Sequence, residues 1–578
     1  MGPITLGANT TLNTNATSNA GDITIGAVTG STYNLTLSTG AVTGADVSGS
    51  SFAGTGTLTL DNVGGTASFT GEVSPASLVV NSNVNNVSLT GTSGTITNTV
   101  TFGNTGTLTL GASGGTQTYS GGLTATSPSS ISLAGTIAVA DNSTLGDADT
   151  AIQLLSNLTF NSSVSGKTLS IGGNISGAAK DLTFTGAGNS AVSGNISTTS
   201  GSLTKTGNGT LTLSGTTSYQ GLTNIDVGTL TVTGSLSDST AVTVASGATY
   251  NVGASDTIAS LSGAGNVGLS YTLTVGDAND TTFSGVISGA GALTKQGAGA
   301  LTLSGTNQYE GVTSINAGSI VVSSDANLGT APANATPGQL VLNGGSLRTT
   351  SSFTLNSNRG ISLGSSGGTI NVDNGVTTTY AGIIADTGAL TKTGSGTLLL
   401  SGANSFDGGL TIAAGIVKAG SDSVMTSSVI TSSPLGVANV IINSGAGFDV
   451  NGRSIANNLS LIGTGYSSSG ALFNSASSAG TYSGVLTFTG ATTIKTTGDL
   501  ELVRNIDGAI ALTLATTSTG NLTLTGLTGS VTPLTSLTTT ASSTGGLVLT
   551  GGAITTSGDQ SHAVAISASN SVSLISNS

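Results

Sequence analysis

Short runs in which apolar side chains alternate with hydroxyl-bearing ones recur along the whole chain. Leu211-Thr212-Leu213 is one such run, and Leu301-Thr302-Leu303 is another. A period of two indicates a strand with one buried and one exposed face, so leucine should point inward and threonine outward. Glycine, serine and asparagine fill the intervals, and these residues favour tight corners. The pattern therefore predicts many short strands joined by corners.

One stretch of this pattern occurs three times, over residues 201–234, 291–324 and 388–421. Each copy predicts strand, corner, strand and corner, closed by a short strand such as Thr229–Val232. We expect the repeated residues to be structural, with leucines and aromatics in the core or at corners and glycines at turns. They are Leu203, Lys205, Gly207, Leu211, Leu213, Gly215, Tyr219 and Gly228 in the first copy, Lys295, Leu301, Leu303, Tyr309 and Gly318 in the second, and Lys392, Leu398, Leu400, Phe406 and Gly415 in the third.

Such a segment cannot bury its leucines alone, because a two-faced set of short strands gains a core only when the next coil stacks on it. The predicted fold is therefore all-β, a right-handed parallel β-helix (β-solenoid) forming a single elongated rod. We divide it into a loosely repetitive part, 1–180, a part with the three repeats, 181–420, and a truncated continuation, 421–578.

Composition supports a folded solenoid over the other glycine-rich classes of protein. Ninety glycines with only 7 prolines exclude collagen, which needs abundant proline. Charged residues make up 6% of the chain, yet the hydrophobic fraction is 36% and the mean hydropathy is +0.28. Disordered chains combine low hydrophobicity with high charge, so this composition is not theirs. Threonine, serine and asparagine supply the polar surface instead.

The charge balance bears on partners. The net charge is −13, with 24 acidic and 11 basic residues, and the basic residues form no cluster. Nucleic acids are therefore poor partners, since their binders carry lysine and arginine patches. A modest excess of acids along a long molecule mainly keeps copies apart. The chain has no cysteine, and we expect no cofactor and no bound metal.

The ends of the chain look like parts of a continuing pattern. The first 26 residues contain neither a basic segment nor an apolar run of signal-peptide length. Strand-like alternation is already present at residues 22–25 and continues through residues 565–575. We therefore expect a segment of a longer protein. No apolar run approaches the 18 or so residues of a membrane-spanning helix, so we expect no direct membrane insertion.

The repeat resembles the passenger-associated transport repeat of type V autotransporter passengers. The resemblance lies in Leu293-Thr294-Lys295 with Gly297, Gly299, Leu301, Leu303, Ser304, Gly305, Tyr309, Gly311 and Gly318, and in their counterparts in the other copies. Residues 326–329 and 342–348 resemble the linking coils of that family. The close resemblance covers 181–420, and the flanks 1–180 and 421–578 resemble filamentous-haemagglutinin-type strand repeats.

This resemblance implies a β-helical stalk that is exported across the outer membrane of a Gram-negative-type bacterium and displayed or released. In that family the repeat serves passenger folding and transport and is not a ligand site. The family's membrane barrel and signal peptide have no counterpart in this sequence.

The repeated side chains leave two interpretations open. Lys205 follows Leu203 by two residues and would face inward if the strand continued, so we expect a bend before Gly207. We expect Lys205, Lys295 and Lys392 to cap corner carbonyls or to pair with an acid on the next coil; the alternative is a ligand-binding row. Tyr219, Tyr309 and Phe406 either stack in the core or form an exposed ladder for sugars.

Two further kinds of chemistry compete with a structural role. The turns Asp147-Ala148-Asp149 and Asp277-Ala278-Asn279-Asp280 either are solvated or hold Ca²⁺ through oxygen ligands. Polysaccharide lyases and glycosidases with this fold need converging carboxylates, whereas Glu72, Glu310, Glu501 and the single histidine, His562, lie far apart in sequence. We therefore expect no catalytic residues.

Two functional hypotheses follow. The first is a non-catalytic extracellular stalk of an adhesin, acting as a spacer and a contact surface. Its partners would be host-cell, neighbouring-cell or matrix molecules, with self-association through solenoid ends or edges. The alternative is a secreted polysaccharide-active enzyme. A groove where several acidic and basic side chains converge would favour the enzyme.

Overall fold

The structure is a computed structural model that describes residues 1–15, 18, 21–541, 544–569 and 571–577. Its described residues fold into two compact units, Met1–Val275 with Phe283–Ala290, and Gly276–Thr282 with Gly291–Ser578. Both units consist of short strands that pair almost entirely in parallel. Within the described ranges there is no α-helix, and the only helical turns are two 3₁₀ helices, Asp325–Leu328 and Tyr466–Ser468.

In the first unit, each turn of chain lays its strands directly on those of the turn before. One stack pairs Leu182 with Leu203, Leu203 with Thr223, and Thr223 with Val242. These residues lie on the strands Leu182–Thr185, Leu203–Lys205, Thr223–Ile225 and Ala241–Val244. A second stack comprises Thr168–Ile171, Asn189–Val192, Thr210–Leu213, Thr229–Val232, Thr249–Val252 and Asn266–Leu269. Each turn of chain is thus one rung of a solenoid.

The second unit is built in the same way. Leu390 pairs with Leu410 and Leu410 with Val440, while Leu398 pairs with Val417 in a neighbouring stack. The strands around the second and third repeats are Leu293–Lys295, Ala300–Leu303, Thr313–Ile315, Ser319–Val322, Thr336–Leu342, Arg359–Leu363, Leu390–Thr393, Thr397–Leu400, Leu410–Ile412 and Gly415–Ala419. The predicted all-β solenoid of stacked parallel rungs is confirmed.

Burial follows the alternation in the sequence. In Thr210–Leu213 both leucines are fully buried and both threonines are half-buried, and Thr229–Val232 repeats the pattern. Stacked rungs place leucine above leucine, so each unit encloses a continuous apolar interior. Burying one leucine side chain contributes about 2 kcal/mol, and this is the main gain that each added rung makes.

Asparagine and aspartate at the corners join successive rungs. The side-chain oxygen of Asn189 accepts the backbone N–H of Thr210 at 2.9 Å, and Asp181 accepts that of Ser202 at 3.0 Å. Asp280 does the same for Ala300 at 2.8 Å in the second unit. These N–H groups lie at, or directly before, the first residue of a strand, and the side chains satisfy donors that would otherwise need water. This role explains why a chain with few charges is rich in asparagine.

Three local features depart from the regular stack. Residues 424–432 form an antiparallel hairpin from Val424–Thr426 and Val429–Ser432. A bulge displaces residues 337–339 from the ladder between Thr336–Leu342 and Arg359–Leu363. Residues 326–329, expected to be a linking coil, lie mostly within the 3₁₀ helix Asp325–Leu328.

Candidate functional site

Each repeat copy forms two rungs that pair with each other. In the first copy Leu203–Lys205 pairs with Thr223–Ile225, and Thr210–Leu213 pairs with Thr229–Val232. The second and third copies have the same pairing, as Leu301 with Ile320 and Leu398 with Val417 show. The repeat is therefore a two-rung unit with a corner in each rung, and its constant spacing keeps the two corners stacked.

The repeated lysine lies inside this pair of corners. Lys205 keeps the inward parity of its strand and exposes 3% of its surface, and the bend at Gly207 follows it. Its Nζ donates to the carbonyls of Thr206 at 2.8 Å and Gly207 at 2.5 Å, and to Val227 of the second rung at 3.2 Å. An ammonium has three donors, and all three are used. The side chain thus joins both rungs of the copy.

The third copy contains the same arrangement, and the lysine of the second copy caps the carbonyls of its own corner. Lys392 donates to the carbonyls of Thr393, Gly394 and, at 3.2 Å, Ala414 of the second rung. Lys295 donates to the carbonyls of Gln296 and Gly297. All three lysines are buried, so they do not form an accessible ligand-binding row. Carbonyl capping, the first of the two interpretations, describes their contacts.

Burial also changes the acidity of these lysines. Desolvation lowers the pKa of Lys205 and of Lys392 from 10.5 to about 8. The pKa of Lys295 is lowered for the same reason, while the carboxylates of Asp277 and Asp280 act in the opposite direction. A pKa near 8 leaves the ammonium protonated at neutral pH, where it keeps three donors for the carbonyls.

Glycine is required where the two corners of a copy touch. Gly228 has φ +78, and a Cβ placed on it would lie 2.4 Å from the carbonyl oxygen of Gly207. Gly415 has φ +68, and its Cβ would lie 2.4 Å from the carbonyl oxygen of Gly396. Any side chain would therefore meet both backbone strain and a rigid neighbour. The repeated glycines set the spacing at which the lysine reaches both rungs.

The aromatic position of the repeat is buried in every copy. The hydroxyl of Tyr219 bonds Thr223 Oγ1 at 2.7 Å, and that of Tyr309 bonds Thr313 Oγ1 at 2.7 Å. In the third copy Phe406 replaces the tyrosine and Leu410 replaces the threonine. Tyr219, Tyr309 and Phe406 each expose 1% of their surface or less, so they offer no exposed ladder for sugars.

The remaining repeat positions also lie inside. Leu211, Leu213, Leu301, Leu303, Leu398 and Leu400 are buried on the inner face of their strands. Gly215 lies at the following corner, where a Cβ would meet the carbonyl oxygen of Gly194 at 2.3 Å. Gly318 repeats the geometry of Gly228 with φ +60.

A family model described as passenger-associated-transport-repeat matches residues 203–232, 293–322 and 390–419. These ranges are the three two-rung units. The chain carries three passenger-associated-transport repeats. Each matched range begins at the leucine of the first strand and ends in the last strand of the second rung.

The chain is also similar to a curated protein, "Adhesin BmaC autotransporter" of Brucella suis biovar 1 (strain 1330). The two are 38% identical over 130 residues, which are 22% of this chain and 4% of that protein. The chain therefore spans a small fraction of the length of this relative. No solved structure matches this chain.

The repeats and this likeness support an autotransporter passenger, as the sequence predicted. Such a passenger lies outside the cell or at the surface of a Gram-negative bacterium, which is the predicted localisation. The resemblance of the flanks 1–180 and 421–578 to filamentous-haemagglutinin repeats stays a prediction, as do the divisions at residues 180 and 420.

The residues considered for catalysis have separate surroundings. Glu72 accepts a hydrogen bond from Ser74, and Glu501 accepts one from Thr525 at 2.9 Å. His562 lies beside Thr539 and Gln560, and partial burial lowers its pKa. Glu310 is exposed. In the part of the chain that the structure describes, no hydrogen bond or ion pair joins two of these four residues.

The acidic turns lie at the surface. Asp147 accepts hydrogen bonds from the hydroxyl of Thr150 at 2.7 Å and from the backbone N–H of Asp149. Asp277 accepts the backbone N–H and the side-chain amide of Asn279, both at 2.8 Å. Among the described residues, no group of three or more histidine, aspartate and glutamate side chains is placed to hold a metal ion. The carboxylates of Asp147 and Asp277 thus accept hydrogen bonds from groups of their own turn.

The described ranges also contain no helix that is long and apolar enough to span a bilayer.

Two features were missing from the sequence-based prediction. Arg359 is buried and paired with Asp325 at 2.9 Å, where it holds the carbonyl of Leu328 at 3.0 Å. The hairpin 424–432 exposes Val424, Met425 and, with 64% of its surface accessible, Val429. The available signal for the hairpin was two β-branched runs separated by Ser427-Ser428, although these serines lack the usual asparagine-glycine signature of such a turn.

Proposed function

We propose that this chain is a non-catalytic β-solenoid stalk of a secreted or surface-bound adhesin, serving as a spacer and a contact surface. The observation that carries the proposal is the pair of rungs that a buried lysine joins in the first and third repeats. A buried ammonium that holds carbonyls of two rungs ties each rung to its neighbour. Local ties of this kind suit a molecule that must keep its length while it is pulled or bent.

The spacer role is tested by changing length without changing register. Leu203 and Val242 belong to the same stack, so deleting residues 203–241 removes two rungs and leaves Val242 to pair with Leu182. Two rungs correspond to about 10 Å. Duplicating 203–241 adds the same length. Both variants are displayed on bacteria at matched surface density.

A spacer predicts that cell adhesion changes with length, while binding of the purified chain to the same target cells stays constant. Equal adhesion by the short, normal and long variants would contradict the spacer role. Parallel loss of purified-chain binding would instead place a contact residue within 203–241.

For the contact surface, we propose the hairpin 424–432 and, as its occupant, the same hairpin of a second copy. Its two strands form a separate two-stranded sheet, so their outer edges are open to another strand. The segment contains no charge and no proline, the usual means of blocking an edge. Because the chain carries a net charge of −13, an uncharged edge is where two copies meet with least repulsion.

Sedimentation velocity over a dilution series tests this contact. We expect dimers that increase with protein concentration and with salt, because salt screens the repulsion between acidic copies. Val429→Lys should abolish them. The matched control is Val531→Lys, at a valine with 81% of its surface exposed outside the hairpin. Monomers at every concentration and salt, or an equal effect of both substitutions, would exclude the hairpin contact.

A further inference from the structure

A small cavity opens at one corner of the second unit. Its volume is about 150 Å³, and apolar atoms dominate its lining. The lining comes from three successive rungs, represented by Pro337, Gly360 and Ile383. The backbone pairs Thr336 with Arg359 and Ile361 with Ile384, which fixes the order of these rungs. The cavity therefore crosses three rungs.

Two residues of a bulge, Pro337 and Gly338, line this cavity. Residues 337–339 stand opposite the single residue Gly360, because the register shifts between Thr336 and Leu340. A Cβ on Gly360 would lie 2.8 Å from the Cα of Pro337, so only glycine leaves room for the bulged chain. Bulges often occur beside binding sites, where they redirect the chain. The register shift in the strand ladder therefore coincides with the cavity.

The apolar wall of the cavity is fixed in position. Ile383 exposes 49% of its surface, which is unusual for an isoleucine in this molecule. Its carbonyl accepts the backbone N–H of Ile361 at 2.9 Å and the hydroxyl of Tyr380 at 3.2 Å. The same hydroxyl also donates to the carbonyl of Arg359 at 2.5 Å. These contacts fix the backbone of Ile383, whose side chain lines the cavity.

Asp386 supplies the polar group at the rim. Its carboxylate accepts a hydrogen bond from the hydroxyl of Ser362, and a carboxylate has capacity for further donors. Its backbone has φ +79, a left-handed conformation that glycine adopts without strain. The corresponding corners before the other two repeats hold Thr199, with φ +53, and Gly289, with φ +103. Only the third copy places a carboxylate at this corner.

The rim is anionic. The described residues that line the cavity include no lysine or arginine. The nearest cation in sequence, Arg359, is taken up by Asp325 at 2.9 Å and by the carbonyl of Leu328. A second acidic residue, Asp407, lies one rung on, since its backbone N–H donates to the carbonyl of Asp386 at 3.2 Å. Charge complementarity therefore selects a cation.

We propose that this cavity binds a lysine side chain of a partner protein, with the aliphatic stem along Ile383 and Pro337 and the ammonium on Asp386. A volume of about 150 Å³ accommodates roughly six heavy atoms, the size of benzene, and a lysine side chain has five. Lysine also buries its methylene stem readily while its charge stays at the surface. The site does not depend on the hairpin contact or on the adhesive role.

The test uses model compounds and the complete chain. N-acetyl-lysine methylamide and N-acetyl-norleucine methylamide share the same aliphatic stem and differ in the ammonium. Binding is followed through the δ1 methyl signal of Ile383 in isoleucine-labelled protein. We expect saturable shifts with the lysine compound and about tenfold weaker binding of the norleucine compound, the usual contribution of one charge-assisted hydrogen bond. Equal binding of the two compounds would overturn the proposal.

Three variants sharpen the result. Asp386→Asn keeps the shape of the side chain and should weaken lysine binding about tenfold. Asp386→Gly should abolish the ammonium contact without unfolding the corner, because Gly289 occupies the equivalent position. Asp407→Asn is the matched control and should reduce binding less than twofold. If Asp386→Asn binds as well as the original chain, or if Asp407→Asn loses as much, the assignment of the ammonium to Asp386 is wrong.

Discussion

The first and third repeats have the same backbone and the same buried lysine, but they differ at the aromatic corner. In the first, Tyr219 and Thr223 bond each other at 2.7 Å. In the third, Phe406 and Leu410 occupy the two positions, and both are buried. The polar pair has been replaced as a pair, while Lys205 and Lys392 keep equivalent carbonyl partners.

The difference shows which contacts a sequence can exchange. A hydroxyl pair can become an apolar pair, because removing both partners leaves no buried group without a hydrogen bond. The lysine bonds backbone carbonyls, which are present whatever the sequence. Replacing the lysine therefore leaves carbonyls without a partner, and no second substitution can remove them. The same constraint applies to the glycines, because the atoms that a side chain would meet there are also backbone atoms.

The largest expected effect concerns the glycines that both copies share. Gly228→Ala and Gly415→Ala should each destabilise the local rungs by about 3 kcal/mol, because left-handed strain adds to a clash with a carbonyl oxygen. The local free energy of opening is measured by hydrogen exchange of the peptides that cover these corners, since solenoid stability is local.

Gly247→Ala is the matched control for that measurement. Gly247 has φ +85, yet no described atom lies within 4 Å of the position that a Cβ would take there, so only the strain remains. We expect a loss of about 1 kcal/mol. Equal losses at Gly247 and Gly228 would mean that the contact between corners contributes nothing.

Two substitutions convert the aromatic corner of the third repeat into that of the first. Phe406→Tyr should destabilise the third repeat by about 2 kcal/mol, because Leu410 offers no partner to the buried hydroxyl. Adding Leu410→Thr should recover most of this loss by recreating the pair found at Tyr219 and Thr223. Local hydrogen exchange of the four members of this double-mutant cycle measures the coupling.

The reverse exchange in the first copy provides the control. Thr223 also bonds Thr240 Oγ1 at 2.9 Å, so Tyr219→Phe leaves it one partner and should cost about 1 kcal/mol. Additive effects of Phe406→Tyr and Leu410→Thr would show that the two positions are not a pair, and the exchange between copies would then have no energetic basis.

The sequence predicted the repeated elements well because local rules govern them. Alternation placed the leucines inside, and Thr229–Val232 is a strand with the bounds expected. The parallel stack followed from the repeat itself. The sequence did not reveal that each copy pairs with itself, since pairing depends on corner lengths and not on strand composition.

Irregular features were harder to predict, for a physical reason. Leu410 pairs with Val440, whereas Val440 pairs with Leu459, so the hairpin 424–432 lies within one unusually long rung. A chain can insert residues at a corner without disturbing the stack, and composition gives no measure of such insertions. The bulge and the cavity beside Ile383 arise in the same way, from a register shift across rungs.

The smallest expected effect is a pH dependence that both copies should share. In the folded chain burial lowers the pKa of Lys205 and Lys392 to about 8, whereas an unfolded lysine keeps its ordinary pKa of 10.5. Between these values the unfolded chain binds more protons, so stability should rise with pH. For one lysine the gain is about 1 kcal/mol between pH 8 and pH 9.

Urea midpoints of the rungs that carry Lys392, read by pulsed hydrogen exchange at a fixed pulse pH, measure this slope. Lys392→Met should abolish it in the third repeat and leave it in the first. The measured interval ends below pH 10. Burial raises the pKa of tyrosines such as Tyr219 in the folded chain, so near pH 10 the tyrosines of the unfolded chain ionise first and favour unfolding. The same slope with and without Lys392 would show that its ammonium is not desolvated, and the two copies would then differ at the lysine as well as at the aromatic corner.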